Sequence, residues 1–257
     1  MGYGNMQLLN QKLIQEFLTN NHTIDSTTGE MKLEPVKYRW THGATDLHLG
    51  DGMLIYSLIL FNRAKTCVCI GSGGGFIPRL MTQARRDLWE QGIFEGNNSA
   101  EWGDIGTTLI IDAANGVGGF TDWTGENSFL RQHFDPQVIL ETSERAFYDY
   151  FVRQDMKIDY LHIDGDHSYN GVKKDFDLYS TIMSENGIIT IHDTDQAYHD
   201  SFLVTENAKK DFVPLDEPAH FIKALEKNKD WNLVKLNNFR MFDSKVTTTG
   251  ITLLTRK

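Results

Sequence analysis

The chain has 257 residues, of which 40% are hydrophobic and 11% aromatic. That content excludes a disordered chain and suits one large α/β domain, with or without a small appendage. Its 35 acidic and 25 basic residues give a net charge of −10, and no run of Lys or Arg forms a basic stripe. Because this charge repels a phosphate backbone, we expect no nucleic-acid partner.

The chain shows no sign of a targeting or membrane segment. Its start, MGYGNMQLLNQKLIQEFL, lacks the basic residues and the unbroken apolar stretch of a signal peptide, and no segment approaches the ~20 apolar residues that span a bilayer. We therefore expect a cytoplasmic protein without a membrane partner. Cys67 and Cys69 point the same way along a predicted strand, so we interpret them as small buried residues rather than a disulfide.

The first 49 residues are predicted to form an N-terminal appendage or lid. Apolar residues at helical spacing predict a helix over residues 5–19, and residues 22–40 read as short β-like pieces. A second helix is predicted over residues 50–64. It opens the main domain, which we place at residues 50–257.

Short apolar runs alternate with helical segments along the main domain. Strands that are apolar throughout and separated by helices indicate a parallel sheet covered on both faces. The predicted strands cover residues 66–70, 107–113, 136–143, 158–165 and 187–194. Two further strands, WNLVKL and GITLLTR, follow without a helix between them and should pair antiparallel at one edge. The predicted fold is therefore α/β, a Rossmann-like doubly wound sheet of about seven strands, mostly parallel.

Two stretches exceed what a minimal domain of this kind needs. Residues 92–106 and 115–127 are rich in Gly, Asn and Trp. Long loops in a compact domain are usually functional or mobile. They frame a substrate pocket in one interpretation and are insertions without a role in the other.

The first predicted strand, TCVCI, ends in a glycine-rich loop, Gly71-Ser72-Gly73-Gly74-Gly75. Glycines at this point let the backbone approach a ligand and leave the amides of the next helix available. In the dinucleotide motif G-x-G-x-x-G/A the third position must be small, but here it is Phe76, which weakens a nicotinamide or flavin interpretation. The form Gly71-x-Gly73-x-Gly75 instead resembles the first motif of class I S-adenosylmethionine-dependent methyltransferases.

This resemblance covers roughly residues 50–257 and implies S-adenosyl-L-methionine as the cofactor and a strand order of 3-2-1-4-5-7-6. It implies cofactor binding by Gly71, Ser72, Gly73, Gly75, Asp112, Thr142 and Ser143. Asp112, which ends the second strand, would hold the ribose hydroxyls, although an acid there can also cap the following turn. Glu141, Thr142 and Ser143 match the adenine-contacting region by position only. Cys69 departs from the family, whose members often have an acid there.

Polar side chains also end the fourth and fifth predicted strands. Asp164 follows the fourth strand, and His192 and Asp193 follow the fifth. Neighbouring parallel strands lie ~4.8 Å apart, so these side chains can converge on one ion. Oxygen ligands suit Mg²⁺, our first choice, whereas a histidine ligand favours Mn²⁺ or Fe²⁺. We predict Asp164 and Asp193 as metal ligands and His192 as a third.

The segments IDGDHSY and IHDTD indicate which group of these methyltransferases the chain resembles. With their flanking residues they resemble the metal-dependent small-molecule O-methyltransferases of the methyltransferase-24 type, which include macrolide-sugar O-methyltransferases and proteins labelled cephalosporin hydroxylase. That group implies metal binding by Asp164, His192 and Asp193, and a catalytic base at His167. His192 departs from the group, where an acid is more usual. In the alternative interpretation the first segment is a strand-to-helix turn, and we assign Asp166 and Ser168 to such a cap.

The sequence thus predicts an S-adenosylmethionine-dependent methyltransferase that acts on a hydroxyl of a small molecule, such as a sugar or secondary metabolite. It is compatible with a homo-oligomer. A metal-dependent hydroxylase or hydrolase that uses Asp164, His167, His192 and Asp193 is one alternative. An inactive Rossmann-like binding module is another. We interpret the remaining histidines as surface or structural residues, although His42 and His48 are candidates for a lid.

Overall fold

The computed structural model describes residues 21–24, 31–34, 42, 49–71, 73, 75–90, 106–113, 129–195, 217–236, 239–242, 245–248 and 250–257. The described residues do not include the helix predicted over residues 5–19, residues 92–105, residues 115–127 or Ser72. Strands β1 (Asn21–Ile24) and β2 (Met31–Glu34) form a small antiparallel sheet. None of the described helices has the length and apolar character that crossing a membrane requires.

Seven strands form the main sheet. They are β3 (Thr66–Ile70), β4 (Thr107–Ile111), β5 (Gln137–Ile139), β6 (Ile158–Ile163), β7 (Met183–His192), β8 (Trp231–Leu236) and β11 (Ile251–Arg256). The order β5-β4-β3-β6-β7-β11-β8 is the one that the resemblance implies. Strands β3 to β7 are parallel, and β11 runs antiparallel to both β7 and β8, so the predicted antiparallel edge pair is confirmed. A separate hairpin of β9 (Phe239–Phe242) and β10 (Lys245–Thr248), which we did not predict, lies between β8 and β11 in the chain.

Helices cover both faces of this sheet, as a doubly wound fold requires. They are α1 (Asp51–Asn62), α2 (Phe76–Glu90), α3 (Phe129–Phe134), α4 (Ser143–Ala146), α5 (Tyr169–Tyr179) and α6 (Glu217–Leu225). Along β3 the side chains alternate between the two buried layers. Cys67 and Cys69 face α1 and α2, whereas Val68 and Ile70 face α5 and α6. Both cysteines are buried free thiols, as predicted.

Several element ends differ from the prediction, and two strands differ most. The third parallel strand stops at Ile139 instead of residue 143, because Thr142 begins α4 and its side-chain oxygen accepts a hydrogen bond from the Arg145 amide at 3.4 Å. Strand β7 begins at Met183, earlier than the predicted residue 187. Ser168 caps α5 by accepting from the Gly171 amide at 3.0 Å, which confirms its assignment to a cap.

Candidate active site

The glycine-rich loop is held against the end of β6. The Gly71 amide donates to the Ile111 carbonyl at 2.9 Å, and the Asp164 amide donates to the Ile70 carbonyl at 2.9 Å. Gly71 has a φ of +82°, and a Cβ there would lie 2.1 Å from the Asp164 carbonyl oxygen. Only glycine fits this position. The loop predicted to hold the cofactor therefore touches the backbone of the predicted metal ligand.

A cavity of about 270 Å³ lies beside this loop. It is lined by Gly71, Asp112, Thr142, Ser143 and Asp164, which brings together four of the predicted cofactor residues and a predicted metal ligand. Asp112 is buried, and its amide donates to the Ile139 carbonyl at 3.1 Å. Ser72 lies outside the described residues, while Gly73 and Gly75 both have positive φ angles.

Asp175 is a cavity residue that the sequence analysis missed. It lies on α5, is 2% exposed, and accepts a hydrogen bond from the Ser143 hydroxyl. Burial raises the pKa of Asp175 to about 6, although the Ser143 hydrogen bond and Lys174 oppose this shift. A signal was present, because Asp175 falls at helical spacing between the buried residues Val172 and Tyr179 and so interrupts the apolar face of the helix.

Asp164 is the centre of a buried cluster of acids and imidazoles. Its Oδ1 lies 3.1 Å from His167 Nε2 and 3.3 Å from His192 Nδ1. Its Oδ2 lies 3.1 Å from His42 Nε2. Asp193 completes the cluster, with its Oδ1 3.3 Å from His192 Nδ1 and its Oδ2 3.8 Å from His167 Nδ1. All four predicted metal and base residues are therefore in contact at the carboxyl ends of β6 and β7.

Two members of this cluster, His42 and Asp51, were not predicted from the sequence. His42, interpreted as a surface or structural residue, is buried here, and its ring centroid lies 4.2 Å from that of His192. The Asp51 amide donates to the His42 carbonyl at 2.8 Å, and Asp51 Oδ2 lies 3.4 Å from His192 Nε2. His42 is 122 positions from Asp164 in the chain and belongs to no periodic pattern, so the only available signal was its suggested place in a lid.

The cluster sets the charge of its members. Burial disfavours the charged form of Asp164, but the charge of His192 and hydrogen bonds from His167 and His42 outweigh it and hold the pKa of Asp164 well below its usual value. The pKa of Asp193 is lowered in the same way, chiefly by His192. Burial also opposes protonation of His192 and His167, yet the neighbouring carboxylates prevail and raise the pKa of both imidazoles.

The donor set fits a divalent cation. Two trios, His42 with Asp164 and His192, and Asp164 with His167 and Asp193, each offer ligand atoms within 4.8 Å of one another. Within the described part of the chain, both buried ring nitrogens of His192 lack a hydrogen-bond partner despite their close carboxylates. Such unsatisfied nitrogens suit metal ligands. His167 belongs to one trio, so the geometry allows it as a ligand as well as a base.

Comparisons with known proteins concern the family and the fold of the chain. Residues 68–194, from β3 to just past β7, match the methyltransferase-24 family, described as a methyltransferase domain. No curated protein matches the sequence.

Several solved structures share the fold. An O-methyltransferase from Bacillus cereus in complex with S-adenosylhomocysteine has a TM-score of 0.55 at 12% identity and covers 80% of each chain. The O-methyltransferase TomG from Streptomyces achromogenes, involved in tomaymycin synthesis and solved with S-adenosylmethionine, has a TM-score of 0.54 at 13% identity over 80% of this chain and 79% of its own. The S-adenosylhomocysteine-bound Podospora anserina methyltransferase PaMTH1 has a TM-score of 0.53 at 12% identity over 100% and 97%.

The strand order, the glycine loop against β6 and the family match agree with one another. Residues 68–194 thus form a methyltransferase domain of the methyltransferase-24 family, within a sheet that has the strand order of class I S-adenosylmethionine-dependent methyltransferases.

Proposed function

We propose that the protein is a divalent-metal-assisted O-methyltransferase that methylates a hydroxyl group of a small molecule, such as a sugar or secondary metabolite. One observation carries this proposal: the buried cluster around Asp164 adjoins the cofactor loop, with the backbone of Gly71 packed on the Asp164 carbonyl. Two structural neighbours that are named O-methyltransferases were solved with S-adenosylmethionine or S-adenosylhomocysteine, and they support transfer to oxygen.

The cofactor is proposed to occupy the cavity beside the loop. Gly71, Ser72, Gly73 and Gly75 would let the backbone approach it closely, and the buried carboxylate of Asp112 would accept hydrogen bonds from the ribose hydroxyls. Thr142 and Ser143 line the same cavity, but each hydroxyl already has a partner within the protein. We therefore expect their contribution to the adenine end to come mainly from shape.

The proposed metal ligands are Asp164, His192 and Asp193, with His42 as an additional candidate. A divalent cation in this cluster would act as a Lewis acid that lowers the pKa of the acceptor hydroxyl. Oxygen ligands alone would favour Mg²⁺, but two imidazoles in contact with Asp164 move our proposal toward Mn²⁺ or Fe²⁺. The donor set, with its buried unsatisfied His192 nitrogens, is the observation that supports a resident metal.

His167 is the proposed base. The acceptor oxygen attacks the methyl carbon, the carbon–sulfur bond breaks, and sulfur keeps the electron pair as a neutral thioether. The proton of the hydroxyl passes to an imidazole nitrogen of His167, so the ring must start neutral. Asp164 and Asp193 contact opposite ring nitrogens of His167, at 3.1 and 3.8 Å, and thereby fix its orientation.

A labelled-methyl assay tests this function. The protein would be incubated with methyl-labelled S-adenosylmethionine, Mn²⁺ and a panel of small acceptors that pair each hydroxyl compound with its deoxy analogue. We expect label in hydroxyl acceptors only, and loss of transfer when a chelator removes the ion. Transfer to nitrogen or sulfur acceptors alone would contradict O-methylation, and transfer that is unaffected by the chelator would contradict the metal.

One observation favours a second candidate, metal-dependent hydroxylation at the same cluster. His42, Asp164 and His192 form a group of two imidazoles and one carboxylate, a set that holds Fe²⁺ with open positions in oxygenases. Oxygen uptake by the iron-loaded protein with 2-oxoglutarate and a small-molecule panel would favour this candidate. Absence of uptake, together with labelled-methyl transfer, would exclude it.

A further inference from the structure

A second cavity lies at the opposite edge of the main sheet, at the amino-terminal ends of β3, β4 and β5. Its volume is about 620 Å³, within the range of small-molecule sites. Thr66, Thr107 and Gln137, the first residues of these three strands, line it, whereas the proposed active site adjoins the other ends of β3 and β4. Among the residues that the structure describes, none lines both cavities.

The lining of this cavity reverses the charge of the chain. Among the described residues around it, Lys65, Arg85, Arg86 and Arg131 are cations and Asp135 is the one acid. The chain as a whole has a net charge of −10. Cations gathered around one concave surface attract an anion into it.

Two of the arginines are held in place by other groups. Arg85 is 4% exposed, and its Nε donates to the Thr108 hydroxyl at 2.9 Å. That hydroxyl also contacts the Thr82 hydroxyl at 3.0 Å. Arg86 donates to the His133 carbonyl at 2.7 Å, and its guanidinium lies 5.7 Å from the centre of the Phe134 ring. Side chains that are already fixed lose less conformational freedom when a ligand binds.

We propose that this basic cavity binds a phosphorylated small molecule with at least two negative charges. A planar guanidinium presents paired N–H donors that match phosphate oxygens, and a lysine adds a compact positive charge. The hydroxyls of Thr66 and Thr107, which line the same cavity, can donate to the remaining oxygens. A nucleic acid is disfavoured, because the site is one concave cavity in an acidic protein rather than an extended basic surface.

Calorimetric titration of the full chain with inorganic pyrophosphate tests this site. The titration would be made in chelator-treated buffer at low and at raised salt, with S-adenosylhomocysteine present throughout. We expect binding with one-to-one stoichiometry that weakens as salt increases. Arg131→Gln or Lys65→Gln should weaken it about tenfold or more, since each removes a charge-assisted contact.

Two matched controls make the test specific. Arg153→Gln removes an arginine whose side chain is 76% exposed, and Lys229→Gln removes an exposed lysine; neither residue lines the cavity. Both control variants should leave pyrophosphate binding unchanged. Because Lys65 is exposed, we expect Lys65→Gln to fold as the wild type does. Absence of binding at low salt, equal weakening in all four variants, or tighter binding of a short oligonucleotide than of pyrophosphate would each overturn the proposal. None of these outcomes depends on methyl transfer.

Discussion

The two ends of the parallel strands, here called the carboxyl edge and the amino edge of the main sheet, are lined by residues of opposite charge. At the carboxyl edge, the part-buried carboxylates of Asp164 and Asp193 lie among imidazoles next to the glycine loop. At the amino edge, Lys65, Arg85 and Arg131 surround a cavity without an equivalent set of acids among its described residues. Between the two edges, β3 and β4 are buried after their first residues, and most of their buried side chains are apolar. The strand interiors thus provide packing, while the residues just beyond the strand ends determine what each edge can bind.

The largest expected effect separates the two edges. Asp164→Asn keeps the shape of the side chain but removes the charge that holds three imidazoles, so Mn²⁺ binding should be lost and methyl transfer should fall on the order of 10³-fold. Lys65→Gln at the amino edge should change transfer less than about twofold. Calorimetry with Mn²⁺ and the labelled-methyl assay measure both. Equal losses in the two variants would contradict a division of labour between the edges.

Replacement of the proposed base should have the next largest effect. His167→Gln should lower kcat/KM about 10²-fold or more, because the imidazole that is proposed to accept the proton is removed. The neighbouring carboxylates raise the pKa of His167 above its usual value of about 6.5, so wild-type activity should fall as pH decreases through that raised pKa. The variant should lose this acid limb. An unchanged pH profile of kcat/KM in His167→Gln would show that another group is the base.

Two glycines of the cofactor loop provide a matched pair. Gly71→Ala places a Cβ 2.1 Å from the Asp164 carbonyl oxygen, whereas at Gly73 nothing lies within 4 Å of the corresponding position. Both have positive φ angles, so Gly73→Ala should cost only about 1–2 kcal/mol of the free energy of unfolding. Gly71→Ala should cost about 3 kcal/mol or more and weaken S-adenosylhomocysteine binding. Urea unfolding compares them, and equal costs would mean that the loop does not press on β6.

The smallest expected effect concerns Asp175. Its pKa is raised to about 6 in the folded protein, above the value of about 3.9 in the unfolded chain. The protonated form is therefore favoured by folding, and this contribution to stability is fully present below pH 3.9 and is lost as pH rises through about 6. Asp175→Asn, which still accepts from Ser143, should be about 1–2 kcal/mol more stable than the wild type at pH 7.

The control for this prediction is Asp177→Asn on the same helix. Asp177 is half exposed and pairs with Lys173, a surface contact of little energetic weight. Urea unfolding at pH 4.5 and pH 7 should show a pH-dependent difference from the wild type for Asp175→Asn and almost none for Asp177→Asn. If the Asp175→Asn difference is independent of pH, the burial of that carboxylate is not what raises its pKa.

Much of the carboxyl edge could be predicted from the sequence. Strand β3 is bounded by Thr66 and the glycine loop, and both of its ends match the prediction. Asp164, His192 and Asp193 directly follow apolar runs, so the pairing of β6 with β7 was enough to bring them together.

The remaining features depend on contacts between distant parts of the chain. His42 and Asp51 precede the first parallel strand, and no periodicity links them to Asp164. The cations of the amino edge are scattered over three segments and form no run in the sequence, so only the folded sheet brings them together. The π-helix Phe147–Val152 was also missed, because apolar spacing does not distinguish it from an ordinary helix.

We propose that the carboxyl edge binds both S-adenosylmethionine and a divalent metal. Calorimetry of the purified protein with S-adenosylhomocysteine, followed by Mn²⁺, tests it most directly when the wild type is compared with Asp164→Asn. We expect each ligand to bind the wild type with one-to-one stoichiometry, and we expect the variant to bind S-adenosylhomocysteine but not Mn²⁺. A wild type that binds no S-adenosylhomocysteine, or a variant that binds Mn²⁺ as tightly as the wild type, would contradict it.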